Sequence, residues 1–585
     1  MTASAAFVRR QTLEAVPSKK SGDVLSDAEI QTRKRTGAHY TPPELASFVA
    51  DQIVAYASDA ESPLSVLDPA IGDGALMEAL ALRLRNVNAT GFDTDAIALA
   101  ASTKRLRRIV SPDRLDLRQG DFPSLCLQSR GTDLFAREQV GPFDLIIANP
   151  PYVRTQVMGA ARSQGIADAF QLSGRVDLYF SFLVCIASVL RSGGIAGVIV
   201  SNRFMTTRSG EEVRRRLLQE FDVLHVWDFG DTKLFEAAVL PAVLILRKKT
   251  RNGSAHATPR MSAIYTTDQT AETHAATVFQ ALQGAGAIEV NGGTYLIRHG
   301  TLEHGDSVKG VWRLGTEAGD SWLRTVQRHT FCTFGDIGKV RVGVKSTADK
   351  IFVRSDWHLM PPQTLPELLR PLMTHHHGRR YRADMSVKST QILYPHESND
   401  GRKKAVDLSK YPNAAAYLGE HRAQLEKRRY VIEAGREWFE LWVPQNPNAW
   451  KLPKLVFPDI SEKPIFWLDL EGAVVNGDCY WIAAQDTSNQ DLLWLALGVG
   501  NSSFIEEFYD HLFHNKLYAG RRRFMTQYVE QFPVPNPSEK SSREIVRCAK
   551  TLHLEPNERV GASLQARIDT LVREAFGLGR EKAPR

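Results

Sequence analysis

"FDLIIANPPYV", Phe143 to Val153, starts as a strand and ends in four residues that no strand requires. The run from Phe143 to Ala148 is apolar enough to lie inside a sheet covered on both faces. Two consecutive prolines then bring no N–H and fix φ, so the chain must leave the sheet in a stiff, predetermined shape. Taken alone, Asn149, Pro150, Pro151 and Tyr152 describe a rigid turn. Their surroundings decide whether they are more than that.

Upstream, strands and helices alternate from Pro63 onward. "SVLD" and "ATGFD" read as strands, and "GALMEALALRLR" and "DAIALAASTKRLRR" as the helices that follow them. Before them, "TPPELASFVADQIVAY" has helical spacing with prolines suited to a helix start. Further strands are expected at "LDLRQ", "IAGVIV", "VLHVWDF" and "VLPAVLILRK", with helices at "DLYFSFLVCIASVL" and "EEVRRRLLQEF". The pattern predicts an α/β fold, a doubly wound and mostly parallel Rossmann-like sheet. Its last two strands are joined by too few residues for a crossover helix, so they should pair antiparallel.

The chain has 585 residues, too many for one core. At "KKTRNGSAHATPR" the alternation gives way to linker chemistry. The expected division is a catalytic domain over 1–250, a linker or insert over 251–330 and a mixed α/β domain over 331–537. A helical tail over 538–585 contains one amphipathic helix that ends at a glycine. Hydrophobic content of 43% and charged content of 24% fit a soluble globular protein. No apolar run reaches the ~20 residues of a membrane span, and the N-terminus lacks a signal peptide, so no membrane and a cytoplasmic location are expected. Five scattered cysteines argue against structural zinc and disulfides, and no metal is expected. A net charge of +7 is compatible with a polyanionic partner.

Three carboxylates stand at the ends of three successive strands. In "SVLDPAIGDG", Asp68, Ala70, Gly72 and Gly74 lie between a strand and a helix, where glycines allow close approach of backbone to a ligand. Asp93, followed by Thr94, ends the next strand, where doubly wound folds keep an acid for the two ribose hydroxyls. The loop is not G-x-G-x-x-G, and Asp68 would repel a pyrophosphate. A ligand with cationic groups and no phosphate suits it, and S-adenosyl-L-methionine has an ammonium and a sulfonium. At the third strand end, Asp121 is placed to accept from an adenine amine, with Phe122 packing on the ring.

"NPPY" then falls beside the expected sulfonium. An exocyclic amine of a base is a poor nucleophile, because its lone pair is delocalised into the ring. Two acceptors aimed at its N–H bonds would free that lone pair. The Asn149 side-chain oxygen and the Pro150 carbonyl are such a pair, and Tyr152 can stack on the base.

These motifs, in this order, resemble the gamma class of DNA adenine-N6 methyltransferases of restriction-modification systems. "TGAHYTPPE" resembles the N-terminal motif that closes over the methionine end of the cofactor, with Thr41 the matching residue. "DPAIGDG", Asp93 and "GDF" resemble the cofactor motifs, and "NPPY" the catalytic one, with Pro151 also against the cofactor. "DTKLFEAAVLPAVLIL" resembles the motif whose aromatic, here Phe235, meets a flipped base. "FGDIGKVRVGVKSTADKIFV" and "YAGRRRFMTQYVEQFPVPNP" resemble parts of the target-recognition domain. The resemblance implies methylation of adenine N6 in double-stranded DNA, by a monomer, with any cognate restriction endonuclease a separate chain. The same four residues would also serve methylation of cytosine N4, an RNA base or a protein glutamine. A DNA-binding module without catalysis would explain only the basic clusters.

Those clusters lie in the second domain: "RRYR" at 379–382, "RKK" at 402–404, "KRR" at 427–429 and "RRR" at 521–523. Arg379, Arg380 and above all Arg521, Arg522 and Arg523 are the candidates for phosphate contacts. "HHH", His375 to His377, reads as surface, because adjacent histidines rarely aim at one ion.

Overall fold

The computed structural model describes residues 40–57, 63–128, 140–152, 160–170, 177–235, 240–250, 258–305, 307, 310–387, 389–399, 401–484, 490–513, 521–554 and 558–579. The stretches 1–39, 251–257, 514–520 and 236–239 of the quoted motifs lie outside them, as does Val153.

The alternation expected from Pro63 onward is present. Helix α1 (Pro43–Tyr56) precedes strand β1 (Leu64–Asp68), helix α2 (Ala75–Ala81), β2 (Val87–Asp93), α3 (Ala96–Leu106) and β3 (Leu115–Gln119). Then come α4 (Phe122–Gln128), β4 (Phe143–Ala148), α5 (Leu178–Val189), β5 (Leu190–Ser201), α6 (Glu211–Glu220), β6 (Phe221–Asp228) and β7 (Pro241–Lys248). Strands β1 to β5 run parallel in the order β3-β2-β1-β4-β5. Strand β7 runs antiparallel between β5 and β6, as the short connection requires. Helix α2 is shorter than its apolar pattern predicts. Past Ala81 the Arg83 N–H bonds the Leu80 carbonyl at 3.0 Å, three residues back, and its side chain reaches the Ala79 carbonyl at 2.7 Å and Asp51 of α1 at 2.6 Å.

The stretch expected as a linker or insert carries more of the same sheet. Strands β8 (Arg260–Thr266), β9 (Thr273–Ala275), β10 (Gly286–Val290), β11 (Gly293–Glu303) and β12 (Arg313–Gly315) extend it to twelve strands. Strand β8 pairs parallel with β6, and β11 then pairs antiparallel with β8 and β10.

In the C-terminal half, Arg341–Val342, Cys479–Ala483, Lys454–Pro458 and Trp467–Asp469 form one four-stranded sheet. A two-stranded ribbon, β13 (His396–Asn399) and β14 (Arg402–Ala405), stands apart from it. Helices α7 (Gln490–Gly500), α8 (Ser503–Leu512), α9 (Lys540–Leu554) and α10 (Glu558–Ala575) share one core. The tail is therefore two helices packed into this core, with Phe576 stacked on Phe504 at 4.4 Å. Gly577, at φ +66°, turns the chain after α10, and the Leu578 N–H closes on the Arg573 carbonyl at 2.9 Å.

The two halves meet at the turn after β5. Thr206 Oγ1 lies 2.9 Å from the Tyr528 hydroxyl, and Gln527 Nε2 donates to the Thr206 carbonyl at 3.3 Å. Among the described residues, no helix is long and apolar enough to cross a membrane.

Candidate active site

Because β1 to β4 are parallel, their C-terminal ends fall on one edge of the sheet, in the spatial order β3, β2, β1, β4. The order reverses beside β1, which is where open α/β sheets form a ligand crevice. Asp121, Asp93, Asp68 and Asn149 follow these ends in a row. At ~4.8 Å per strand the row spans roughly 14 Å.

The loop after β1 is tied down by backbone groups. The Ile71 N–H donates to the Phe92 carbonyl at 2.9 Å, and the Gly120 N–H to the Asp93 carbonyl at 2.9 Å. Gly72 sits at φ +53° and Gly74 at φ +83°, both in the left-handed region that favours glycine. A Cβ on Gly72 would point into open space, whereas one on Gly74 would press on Ser102 of α3 at 3.0 Å. Gly74 thus lets the loop pack against α3, and Gly72 keeps an open cradle.

Each acid is differently placed. Asp93 accepts the Gly72 N–H at 2.9 Å on one oxygen and the Asp95 N–H at 2.8 Å on the other. Asp68 is fully buried; one oxygen accepts the Ala70 N–H at 3.1 Å, and the other has no hydrogen-bond partner among the described residues. Burial pushes its carboxyl up to about 8; the Ala70 bond works against this, and repulsion by Asp93 and Asp73 adds to it. Asp121 accepts from the Ser124 hydroxyl at 2.5 Å and from its N–H at 3.3 Å, within the first turn of α4.

Asn149 is half-buried at the end of β4, with Pro150 buried behind it. Its Nδ2 donates to Thr41 Oγ1 at 3.1 Å, and its Oδ1 accepts the Tyr152 hydroxyl at 2.9 Å. Thr41, 108 positions earlier in the chain, is thereby brought onto the "NPPY" segment. The Tyr152 ring packs edge-on to Tyr179 at 6.1 Å, and burial holds its phenol far above the ordinary range, so it remains a donor.

Residues 112–235 match the family described as Eco57I restriction-modification methylase, and residues 401–534 the one described as TaqI-like C-terminal specificity domain. The Type II methyltransferase M.BanIII of Aneurinibacillus aneurinilyticus is 37% identical over 94% of this chain and 98% of its own length. The chain belongs to the Type II methyltransferases. M.BstVI of Geobacillus stearothermophilus is 24% identical over 93% of this chain and 96% of its own. In fold, the chain resembles the DrdV–DNA complex with a TM-score of 0.50, at 10% identity, over 89% of this chain and 57% of that one.

The methyl donor of this methyltransferase is S-adenosylmethionine, which supplies an electrophilic methyl group on a sulfonium when bound. The residues fit it. The buried Asp68 oxygen without a partner among the described residues suits an ammonium, the open cradle at Gly72 admits a ligand against backbone, and half-buried Asp93 accepts the N–H of that same Gly72. Ala70 is half-buried in the same loop, and Thr94 is exposed beyond Asp93.

Other sequence-based assignments change in the folded protein. Phe122, expected on an adenine ring, is only 1% exposed and packs between Phe92 at 5.6 Å and Phe182 at 6.0 Å. Its ring belongs to the core, where Phe92 and Phe182 cover it. Phe235 is likewise buried, among residues of the core on the α1 face of the sheet. Arg522 is buried: its guanidinium binds Asp510 at 3.0 and 2.9 Å and the Glu462 carbonyl at 2.9 Å. Arg523 is held by both oxygens of Asp459, at 3.1 and 3.0 Å. Two of the three favoured arginines thus already have carboxylate partners, and Arg521 is the exposed one. Arg379 is exposed and Arg380 half-buried. His377 is not a surface residue; it is buried, and its Nδ1 accepts the Thr374 N–H at 2.9 Å. Among the described residues, no cluster of potential metal ligands occurs.

Sequence reasoning missed a polar network at the ends of β5 and β6. Asn202 Nδ2 donates to Asp228 Oδ1 at 2.9 Å, the Tyr265 hydroxyl to Asp228 Oδ2 at 2.5 Å, and the Gly230 N–H to Asp228 Oδ1 at 3.0 Å. Burial lifts the Asp228 carboxyl to about 6, against the lowering effect of these three bonds. The network anchors the start of the connection that carries Phe235. Its sequence signal is an acid closing an otherwise apolar strand, "VLHVWD".

Proposed function

We propose that the protein transfers a methyl group from S-adenosylmethionine to the N6 amine of an adenine rotated out of double-stranded DNA. The observation that carries this reading is the placement of Asn149 at the end of β4, beside the crevice marked by Asp68 and Asp93. The Asn149 oxygen and the Pro150 carbonyl accept from the two N–H bonds of the target amine, favouring a tetrahedral nitrogen. The amine attacks the methyl carbon as the carbon–sulfur bond breaks and S-adenosylhomocysteine leaves, and the amine's extra proton then passes to solvent. Tyr152 stacks on the extruded ring and offsets part of the few kcal/mol that unstacking costs. Asparagine in the first position of "NPPY", as the resemblance implies, favours adenine over cytosine. The enzyme acts as a monomer, as the resemblance implies.

The test is mass spectrometry of nucleosides from DNA incubated with enzyme and labelled S-adenosylmethionine. N6-methyladenine is expected. N4-methylcytosine, or unmodified DNA beside a methylated protein, would overturn the reading.

A further inference from the structure

Ribbon β13–β14 has the shape and chemistry of an element that enters a DNA groove. Among the described residues its strands pair only with each other, in the register His396↔Ala405, Glu397↔Lys404, Ser398↔Lys403 and Asn399↔Arg402. Directly paired residues share a face, so the pleat sorts these pairs into two sets. One set is seated on the domain. His396 is buried, its Nε2 accepts the Leu441 N–H at 3.0 Å, and the Val406 N–H donates to the Pro395 carbonyl at 3.1 Å. The other set carries Glu397–Lys404 and, nearer the tip, Asn399–Arg402.

Among the described residues, charge on that outward set is not spent internally near the tip. Lys404 pairs with Glu397 at 3.2 Å, which neutralises the acid of that set among the described residues. Arg402, on that outward set, and Lys403, which the register places with Ser398 on the other face, are both exposed, and neither has a carboxylate partner among the described residues. This is the opposite of Arg522 and Arg523. A pair of strands about 5 Å apart, with its side chains, fits a major groove about 12 Å wide. Asparagine and arginine are also the side chains that bind adenine and guanine edges by two hydrogen bonds each.

We propose that β13 and β14 insert into the major groove of the target duplex, with Asn399 and Arg402 reading base edges and Lys403 contacting phosphate. The proposal rests on the DNA reading given above. Strand β14 also opens the stretch that matches the specificity domain, residues 401–534.

The experiment uses full-length enzyme and plasmid DNA, with methylated positions mapped by long-read sequencing. Wild-type enzyme first defines the recognition site; failure to modify DNA at all would sink the DNA reading itself, separately from the ribbon. Given a site, Arg402→Ala should lower discrimination at one base pair by about 10- to 100-fold while the others stay selective. Arg402→Lys should behave like Arg402→Ala, because charge remains and the two-pronged contact is lost. Lys403→Ala should weaken DNA binding at every sequence alike and reduce its salt dependence by about one charge. All three positions are exposed, so thermal unfolding should match wild type. An unchanged methylation pattern in Arg402→Ala and Asn399→Ala would overturn the proposal. So would a uniform loss that Arg402→Lys restores, since Arg402 would then touch only phosphate.

Discussion

The cofactor edge of the sheet and the "RRR" segment of the C-terminal half were both marked by charged residues in short motifs, and they fold to opposite ends. At the edge, Asp68 keeps an oxygen without a hydrogen-bond partner among the described residues, and Asp93 accepts the N–H of Gly72, the open cradle. In "RRR", Arg522 and Arg523 are consumed by Asp510 and Asp459. The acids stand where strand, loop and helix geometry is decided within a few residues. The arginines' role is decided by partners 12 and 64 positions away. A charge is readable from sequence when its environment is local, and unreadable when distant chain supplies the counter-charge.

The comparison breaks most sharply at Arg522. If its charge serves the fold, Arg522→Ala leaves Asp510 and Glu506 without their cation and should destabilise by about 3 kcal/mol, the low end for a broken buried pair. Asp510 keeps about a quarter of its side chain exposed, at 26%, which is why the low end applies. Thermal unfolding without DNA measures it. Unchanged stability with weakened DNA binding would return Arg522 to the interface.

On the catalytic side, Asn149→Ala should reduce methyl transfer by about 10²–10³-fold or more, the loss expected for a positioned polar group at the reacting centre. Affinity for S-adenosylmethionine should stay within a few-fold, because Asn149 is assigned to the target amine. Equilibrium binding beside a labelled-methyl assay separates the two. Substantial residual turnover would reject the assignment.

Most of the sheet was legible because parallel strands buried on both faces read as apolar runs between helical patterns. Strands β8 to β12 were not. Strand β11 is mostly half-buried along its length, and antiparallel strands with one wet face look like mixed loop sequence. Asp68, Asp93 and Asn149 were legible as strand-end residues. The rings of Phe122 and Phe235 were not, since whether a ring lines a crevice or fills a core depends on Phe92, Phe182 and other residues brought in from elsewhere. Nor did spacing reveal that Thr41 would meet Asn149.

Asp68 sharpens the comparison through its proton. Without ligand its carboxyl titrates near 8 because it is buried, so at pH 7 it is mostly protonated. A raised acid pKa means that the folded state holds more protons than the unfolded chain between the ordinary value of 3.8 and about 8. The cofactor-free protein should therefore lose stability as pH rises through that window. An ammonium partner requires the carboxylate, so cofactor binding should expel this proton and tighten as pH climbs from 6 to 8. Calorimetry in buffers of different ionisation enthalpy would measure about one proton released at pH 7, less in Asp68→Asn. Equal proton release in both would place the ammonium elsewhere.

The smallest expected effect discriminates most finely. The Tyr152 hydroxyl donates to the same Asn149 oxygen that is assigned to the target amine. An amide oxygen has two lone pairs, so it can accept both donors at once, and the phenol then fixes the direction of the second. Tyr152→Phe retains the ring and removes only this bond. It should lower kcat several-fold, on the order of the 0.5–1.5 kcal/mol of one hydrogen bond, with DNA affinity unchanged. Tyr152→Ala should add a loss of affinity from stacking, on the order of 1–3 kcal/mol. If the hydroxyl instead plugs the acceptor until the base arrives, Tyr152→Phe should bind the flipped base more tightly and turn over no more slowly. Single-turnover rates with 2-aminopurine at the target position distinguish these outcomes, because the fluorescence change reports base rotation and the labelled methyl reports chemistry. Slower chemistry after normal rotation identifies Tyr152 as the group that orients Asn149.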